Sequence, residues 1–167
     1  MRALVLAALP LALAACNQNT SAGADREAEV APPPTAAPRA GAAEALSGIA
    51  TQAIAVETLT DADLAALGQD AGSCRIVLTE VGKPSLAYED GVRATIKLNG
   101  KLITLPGSGS GEYADAGLRV ALREVPGEGD AGLPEEEMIV VLPGAKDELG
   151  YRGYRQCSAD EAPDRSG

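Results

Sequence analysis

The chain has 167 residues, sets 14 Lys and Arg against 24 Asp and Glu for a formal charge of −10, and contains no His, Trp or Phe. A surface this acidic repels phosphate backbones, which argues against nucleic-acid binding and against lipid headgroup recognition by a basic patch. Without His the usual general base, proton shuttle and zinc ligand are missing, and with only four Tyr there is little on which a sugar or a single strand could stack.

Arg2 followed by an apolar run from Ala3 to Ala15, interrupted only by Pro10, has the form of a processing signal. The run is shorter than the roughly 20 apolar residues a spanning helix needs, and polar Asn17, Gln18 and Asn19 follow it at once. Its end, Leu13-Ala14-Ala15-Cys16, resembles the lipobox of bacterial lipoproteins. The resemblance implies that residues 1–15 are cut away and that Cys16 carries a thioether-linked diacylglycerol and an acylated amino group. Each buried methylene contributes about 0.8 kcal/mol, so several acyl chains on one residue hold a protein at a bilayer without a spanning segment. In lipoproteins of this kind Asn17 rather than Asp after the cysteine goes with export to the outer membrane. The expected location is therefore the outer membrane, with the folded part facing the periplasm. The expected partners are the membrane, through Cys16, and a protein in the periplasm; no cofactor and no metal are expected.

Removal of residues 1–15 leaves 13 basic and 24 acidic side chains, a formal charge of −11. It also leaves Cys74 and Cys157 as an even pair in an oxidising compartment, where a disulfide is the natural expectation. The two are 83 positions apart and bracket nearly all the patterned sequence, so a bridge would tie the first strand to the last. From Asn17 to about Ala45 the chain is Ala-rich, with Pro32-Pro33-Pro34 and Pro38, and reads as a disordered tether. As a flexible coil its roughly 29 residues span about 30 Å root-mean-square.

Leu46, Ile49, Ala53 and Val56 recur at helical spacing, which suggests an amphipathic turn or two over 46–56. Thr60 before Asp61-Ala62-Asp63-Leu64-Ala65-Ala66-Leu67, with Gly68 after it, predicts a short helix with an N-cap, an acidic first turn and a glycine stop. Asp61 and Asp63 are two positions apart and diverge on such a helix, so capping is their expected role rather than paired catalysis.

From Cys74 the pattern turns to period two. Cys74, Ile76 and Leu78 share one face; Ser85 to Tyr88 forms a short strand. Asn99-Gly100 between Ala94–Leu98 and Lys101–Leu105 predicts a type I′ hairpin pairing Leu98 with Lys101 and Ile96 with Ile103. That register puts Ala94, Ile96, Leu98, Ile103 and Leu105 on one face and leaves Leu102 pointing outward. Leu118, Val120 and Leu122 alternate in a further strand, Met138 to Leu142 reads as central and covered on both faces, and Tyr151 to Cys157 closes the series. Leu105-Pro106-Gly107, Val125-Pro126-Gly127 and Leu142-Pro143-Gly144 read as turns between strands. About six or seven strands with short connections predict a mainly β fold, a small antiparallel barrel or sandwich with one short N-terminal helix, preceded by the disordered tether. The expected layout is a signal peptide at 1–15, the lipidated tether at 16–45, a β-rich domain at 46–160 and a disordered tail at 161–167.

No motif names a chemistry. Gly107-Ser108-Gly109-Ser110-Gly111 lacks the Lys and the following helix of a phosphate loop, and reads as a flexible hairpin connection. Glu135-Glu136-Glu137 reads as a solvated strand entry, its spacing with Asp130 matching no calcium loop. Ser108, Ser110 and Ser158 have no His to activate them. Tyr151 and Arg152 read as packing and surface residues.

The stretch from Ala94 to Tyr113, with a Leu-Asn-Gly hairpin, Leu105-Pro106 and a Ser-Gly-rich loop before a Tyr, is similar to the membrane-bound lysozyme inhibitor family, small β-barrel lipoproteins with a terminal disulfide. The resemblance implies a partner-binding loop of Ser108, Ser110 and Tyr113 with Arg123 as the downstream basic residue, although the spacing from Ser to Tyr differs by one and the family's Trp is absent. The leading expectation is a non-enzymatic, lipid-anchored binding or structural module, and the alternative is an inhibitor of a cell-wall hydrolase such as c-type lysozyme.

Overall fold

The computed structural model of the chain describes residues 34–79, 82–129 and 132–158, apart from the side chains of Gln52 and Glu128. The signal segment, Cys16, the tether as far as Pro33, Asp130 and the tail 161–167 lie outside the described residues. The elements in order are α1 (Ala42–Ala45), a 3-10 turn (Thr51–Ala53), β1 (Val56–Glu57), α2 (Asp61–Leu67), β2 (Cys74–Leu78), β3 (Pro84–Glu89), β4 (Arg93–Leu98), β5 (Lys101–Gly109), β6 (Glu112–Asp115), β7 (Leu118–Glu128), β8 (Pro134–Val141) and β9 (Leu149–Cys157).

Strands β2 to β9 form an antiparallel barrel in which each strand pairs with the next in sequence and β9 returns to β2. This resolves the choice between barrel and sandwich: a closed meander leaves none of the eight strands with an unpaired edge. Eight strands give an interior just wide enough to be filled by side chains. Strand alternation fills it with Ile76, Leu86, Ala94, Ile96, Leu98, Ile103, Leu105, Leu118, Val120, Met138 and Val140, all buried.

The Asn99-Gly100 turn behaves as expected, with positive φ at both residues and Leu98 opposite Lys101. Leu102 does point outward, but it is buried there in a second cluster with Leu59, Leu67, Ala71 and Ala87. The segment from Leu59 to Ala71 thus lies against the outside of β3, β4 and β5. Its anchor is α2, which forms where it was expected. Thr60 Oγ1 accepts from the Asp63 amide and Asp63 accepts from the Thr60 amide, a reciprocal capping box. Asp63 does more than cap, because it is fully buried, accepts from the Ala37 amide at 2.7 Å and pairs with Lys97 Nζ at 3.0 Å.

Three expectations change, and one strand carried no signal in the sequence. Residues 34–45, read as the end of the tether, are packed: the Ala40 amide donates to the Leu102 carbonyl, and Ala42 and Ala45 are buried in the interior cluster. Small Ala side chains leave a weak periodic signal yet fit the space at a barrel end. The amphipathic turn expected over 46–56 is a single 3-10 turn leading into β1; Leu46, Ile49 and Val56 pack on the interior cluster as expected, joined by Ile54, whereas Ala53 is exposed.

Two of the three Pro-Gly turns lie inside strands, at bulges in β5 and β7, and only Leu142-Pro143-Gly144 leads into a turn. Gly107 is required there for another reason: a Cβ on it would stand 2.2 Å from the Gly91 carbonyl oxygen. Finally, Glu112–Asp115 is a strand, carrying Tyr113 into the interior. With one large apolar residue in four, it had no alternation to read.

The bridge between Cys74 and Cys157 is present, and these cysteines sit directly opposite each other on β2 and β9. It therefore fastens the seam where the last strand closes on the first.

Candidate functional site

One end of the barrel opens to a cavity of about 470 Å³, lined by Ser73, Tyr88, Asp90, Ser110, Gly111, Leu122, Glu124, Glu136, Arg155 and the Cys74–Cys157 bridge. The same alternation that fills the interior positions these groups. On β8 the inward set Met138 and Val140 continues back to Glu136, and on β9 the inward face runs from Cys157 through Arg155 to Gly153 and Tyr151. On β7 the set Leu118, Val120 and Leu122 continues forward to Glu124. Glu124 and Glu136 are directly opposite across the β7–β8 pair. Like charges so placed destabilise a sheet pair.

Glu136 is 5% exposed, and its Oε1 accepts from Arg155 Nη1 at 3.0 Å. Its Oε2 is buried and has no hydrogen-bond partner among the described residues. Burial pushes the Glu136 carboxyl above the usual carboxylate range; Arg155 pulls it down, and Glu124 and Asp90 push it up further. Beneath it the Tyr88 and Tyr113 rings meet edge-on, their centroids 6.2 Å apart. Burial raises both phenols, Tyr113 to about 12, with Glu136 and Asp90 adding to the effect on each. The phenols are therefore neutral donors at physiological pH, and the Tyr113 hydroxyl has no well-formed hydrogen bond.

At the rim, Asp90 organises the Ser-Gly loop. Its Oδ1 accepts from the Gly111 amide at 2.9 Å and its Oδ2 from Ser110 Oγ at 3.0 Å. The loop expected as a flexible connection is thus a turn held by a carboxylate.

The expected partner-binding residues do not come together. Ser110 lies on the cavity rim, Ser108 is exposed on β5 and Arg123 is exposed on β7 opposite Glu137. Tyr113 is fully buried within the barrel, so it cannot present itself to a partner. Reading Glu135-Glu136-Glu137 as wholly solvated is corrected by the burial of Glu136; Glu135 instead faces out toward Arg152, at 3.5 Å. Tyr151 packs on the interior cluster, and Arg152 is exposed. Period two carried back from Met138 and Cys157 was the signal for Glu136 and Arg155. Among the described residues no three His, Cys, Asp or Glu side chains are grouped as metal ligands.

A family model described as "Domain of unknown function (DUF6692)" matches residues 12–160. The chain belongs to this DUF6692 family. The DUF6692 match spans every described strand and reaches back through Leu13-Ala14-Ala15-Cys16. No curated protein and no solved structure matches the chain.

Proposed function

We propose that this protein is a non-enzymatic, lipid-anchored module of the cell envelope, held at the periplasmic side of the outer membrane by acyl chains on Cys16, whose barrel mouth binds a ligand. The observation that carries the binding role is Glu136, a buried carboxylate with one oxygen unpaired among the described residues, lining an open cavity of about 470 Å³. Buried polar groups are nearly always satisfied, so an orphan acceptor at a cavity points to a partner supplied from outside. The anchor rests on the Leu13-Ala14-Ala15-Cys16 box, and the disulfide suits an oxidising compartment. The absence of turnover rests on the chemistry at the mouth: the Ser110 hydroxyl donates to Asp90, and the sequence has no His to activate it.

In cells, the mature protein is expected to begin at an acylated Cys16 by mass spectrometry and to fractionate with membranes. Cys16→Ser should release it, because all of its bilayer affinity resides in the acyl chains. An unmodified Cys16, or a variant that still fractionates with membranes, removes the anchor from this reading.

Exposure of Ser108 on β5 and of Ser110 at the rim favours a second reading, inhibition of a cell-wall hydrolase. Unchanged hydrolysis by c-type lysozyme at large molar excess of the protein discards it.

A further inference from the structure

Among the described residues the mouth is lined by three carboxylates, Asp90, Glu124 and Glu136, and by one cation, Arg155. Their commitments differ. Asp90 is occupied by the Ser110 hydroxyl and the Gly111 amide, and Arg155 holds Glu136 Oε1. Among the described residues Glu136 Oε2 has no donor, on a side chain 5% exposed, directly across the strand pair from Glu124. Two opposed carboxylates and an unpaired buried oxygen form a place where positive charge is missing. Around them the walls are apolar or aromatic: Tyr88, Leu122 and the Cys74–Cys157 bridge. At roughly 30 Å³ for each water-sized group, the cavity has room for a chain of several heavy atoms.

We infer that the barrel mouth binds an alkylammonium group, its nitrogen donating to Glu136 Oε2 and lying between Glu124 and Glu136, its methylenes against Tyr88, Leu122 and the disulfide. This deepens the binding role proposed above and rests on it. The group has two sources, a free diamine or a lysine side chain borne by a partner. Both bring three N–H donors on a flexible apolar stem. An ammonium suits the site better than a carboxylate ligand, which Asp90, Glu124 and Glu136 would repel and Arg155 alone would have to hold. Tyr88 adds an aromatic wall to attract the cation.

The test uses the isotope-labelled full-length chain in mild detergent, titrated separately with 1,4-diaminobutane, Nα-acetyl-lysine methylamide and acetate while amide shifts are followed. The diamine or the lysine derivative is expected to move the amides of Tyr88, Ser110, Gly111, Glu136 and Arg155, and less strongly as salt is raised. A larger response to the diamine assigns a free amine, and an equal response to the lysine derivative assigns a partner's side chain. Glu136→Gln should weaken binding about tenfold or more, the loss of a charge-assisted hydrogen bond. Glu135→Gln, on the outer face of the same strand, should leave binding unchanged. Mapping on the unmodified chain keeps the test meaningful even if the variant folds poorly. Amine shifts that fall outside the mouth, or a folded Glu136→Gln that binds like the parent, overturn the inference. A response to acetate alone overturns it while leaving the binding module in place, and no response to any probe counts against both.

Discussion

Replacing Cys74 and Cys157 together by Ser, or reducing the bridge, is expected to lower the unfolding free energy by about 2–4 kcal/mol and the melting midpoint by roughly 10 °C. The bridge closes a loop of 83 positions, for which the chain-entropy relation gives about 4.5 kcal/mol as an upper figure. The cysteines are directly opposite on β2 and β9, so the bridge acts at the one seam whose strands are joined by no local turn. Every other pair in the barrel is a neighbour in sequence and recloses after a fluctuation at small entropic cost. Thermal unfolding with and without reductant measures the effect. A midpoint unchanged by reduction contradicts a stabilising role at the seam.

Asp63→Ala is expected to cost about 3 kcal/mol, a large effect for one side chain distant from the barrel interior. Three neighbours lose their acceptor at once: the Thr60 amide, the Ala37 amide and Lys97, which is only 14% exposed. The substitution therefore releases the cap of α2, the segment around Ala37 and a partly buried cation together. Denaturant unfolding of the variant against the parent measures it, and a loss near zero contradicts the role assigned to Asp63.

The same contacts fix a pH dependence. Burial alone would raise the Asp63 carboxyl, but hydrogen bonds from the Ala37 and Thr60 amides, Lys97 and the Thr60 hydroxyl outweigh it and hold the group at about 2. A carboxyl lowered on folding contributes its full stability above the unfolded value near 3.9, and that contribution disappears as pH falls toward 2. Glu136 has the opposite sign. Its raised carboxyl binds its proton more readily folded than unfolded, so protonating it as pH falls favours the folded state. Asp63→Ala should accordingly remove part of the acid-side loss of stability.

Much of the barrel was legible because its strands report burial through alternation. Cys74, Ile76 and Leu78, the Asn99-Gly100 hairpin and Met138 to Leu142 carry that signal, and the Thr60 to Gly68 helix carries its own caps. The parts that were not legible share a physical cause: the local pattern was silent or pointed elsewhere. Ala42 and Ala45 bury little area each, Tyr113 sits on a four-residue strand, Pro106 lies inside β5 in register with Arg93, and Pro126 falls in the irregular stretch of β7, so neither proline ends its strand. The mouth was hidden more deeply. Glu136 stands in a run of three glutamates that reads as solvated, and only its parity with Met138 distinguishes it from Glu135 and Glu137. Arg155 and Tyr88 come from other strands and Asp90 from the turn after β3, and their convergence is a property of barrel closure rather than of any segment.

Whether the buried Glu136 carboxylate receives a cation is tested most directly by titrating its side-chain carbon by NMR in the full-length chain. The charged groups facing it are Arg155, Glu124 and Asp90, with the Tyr88 and Tyr113 phenols neutral across this range. The midpoint is expected above the ordinary glutamate value of about 4.3, and is expected to fall when 1,4-diaminobutane is added, because a bound cation favours the charged form. A midpoint at the ordinary value that does not respond to the diamine contradicts it.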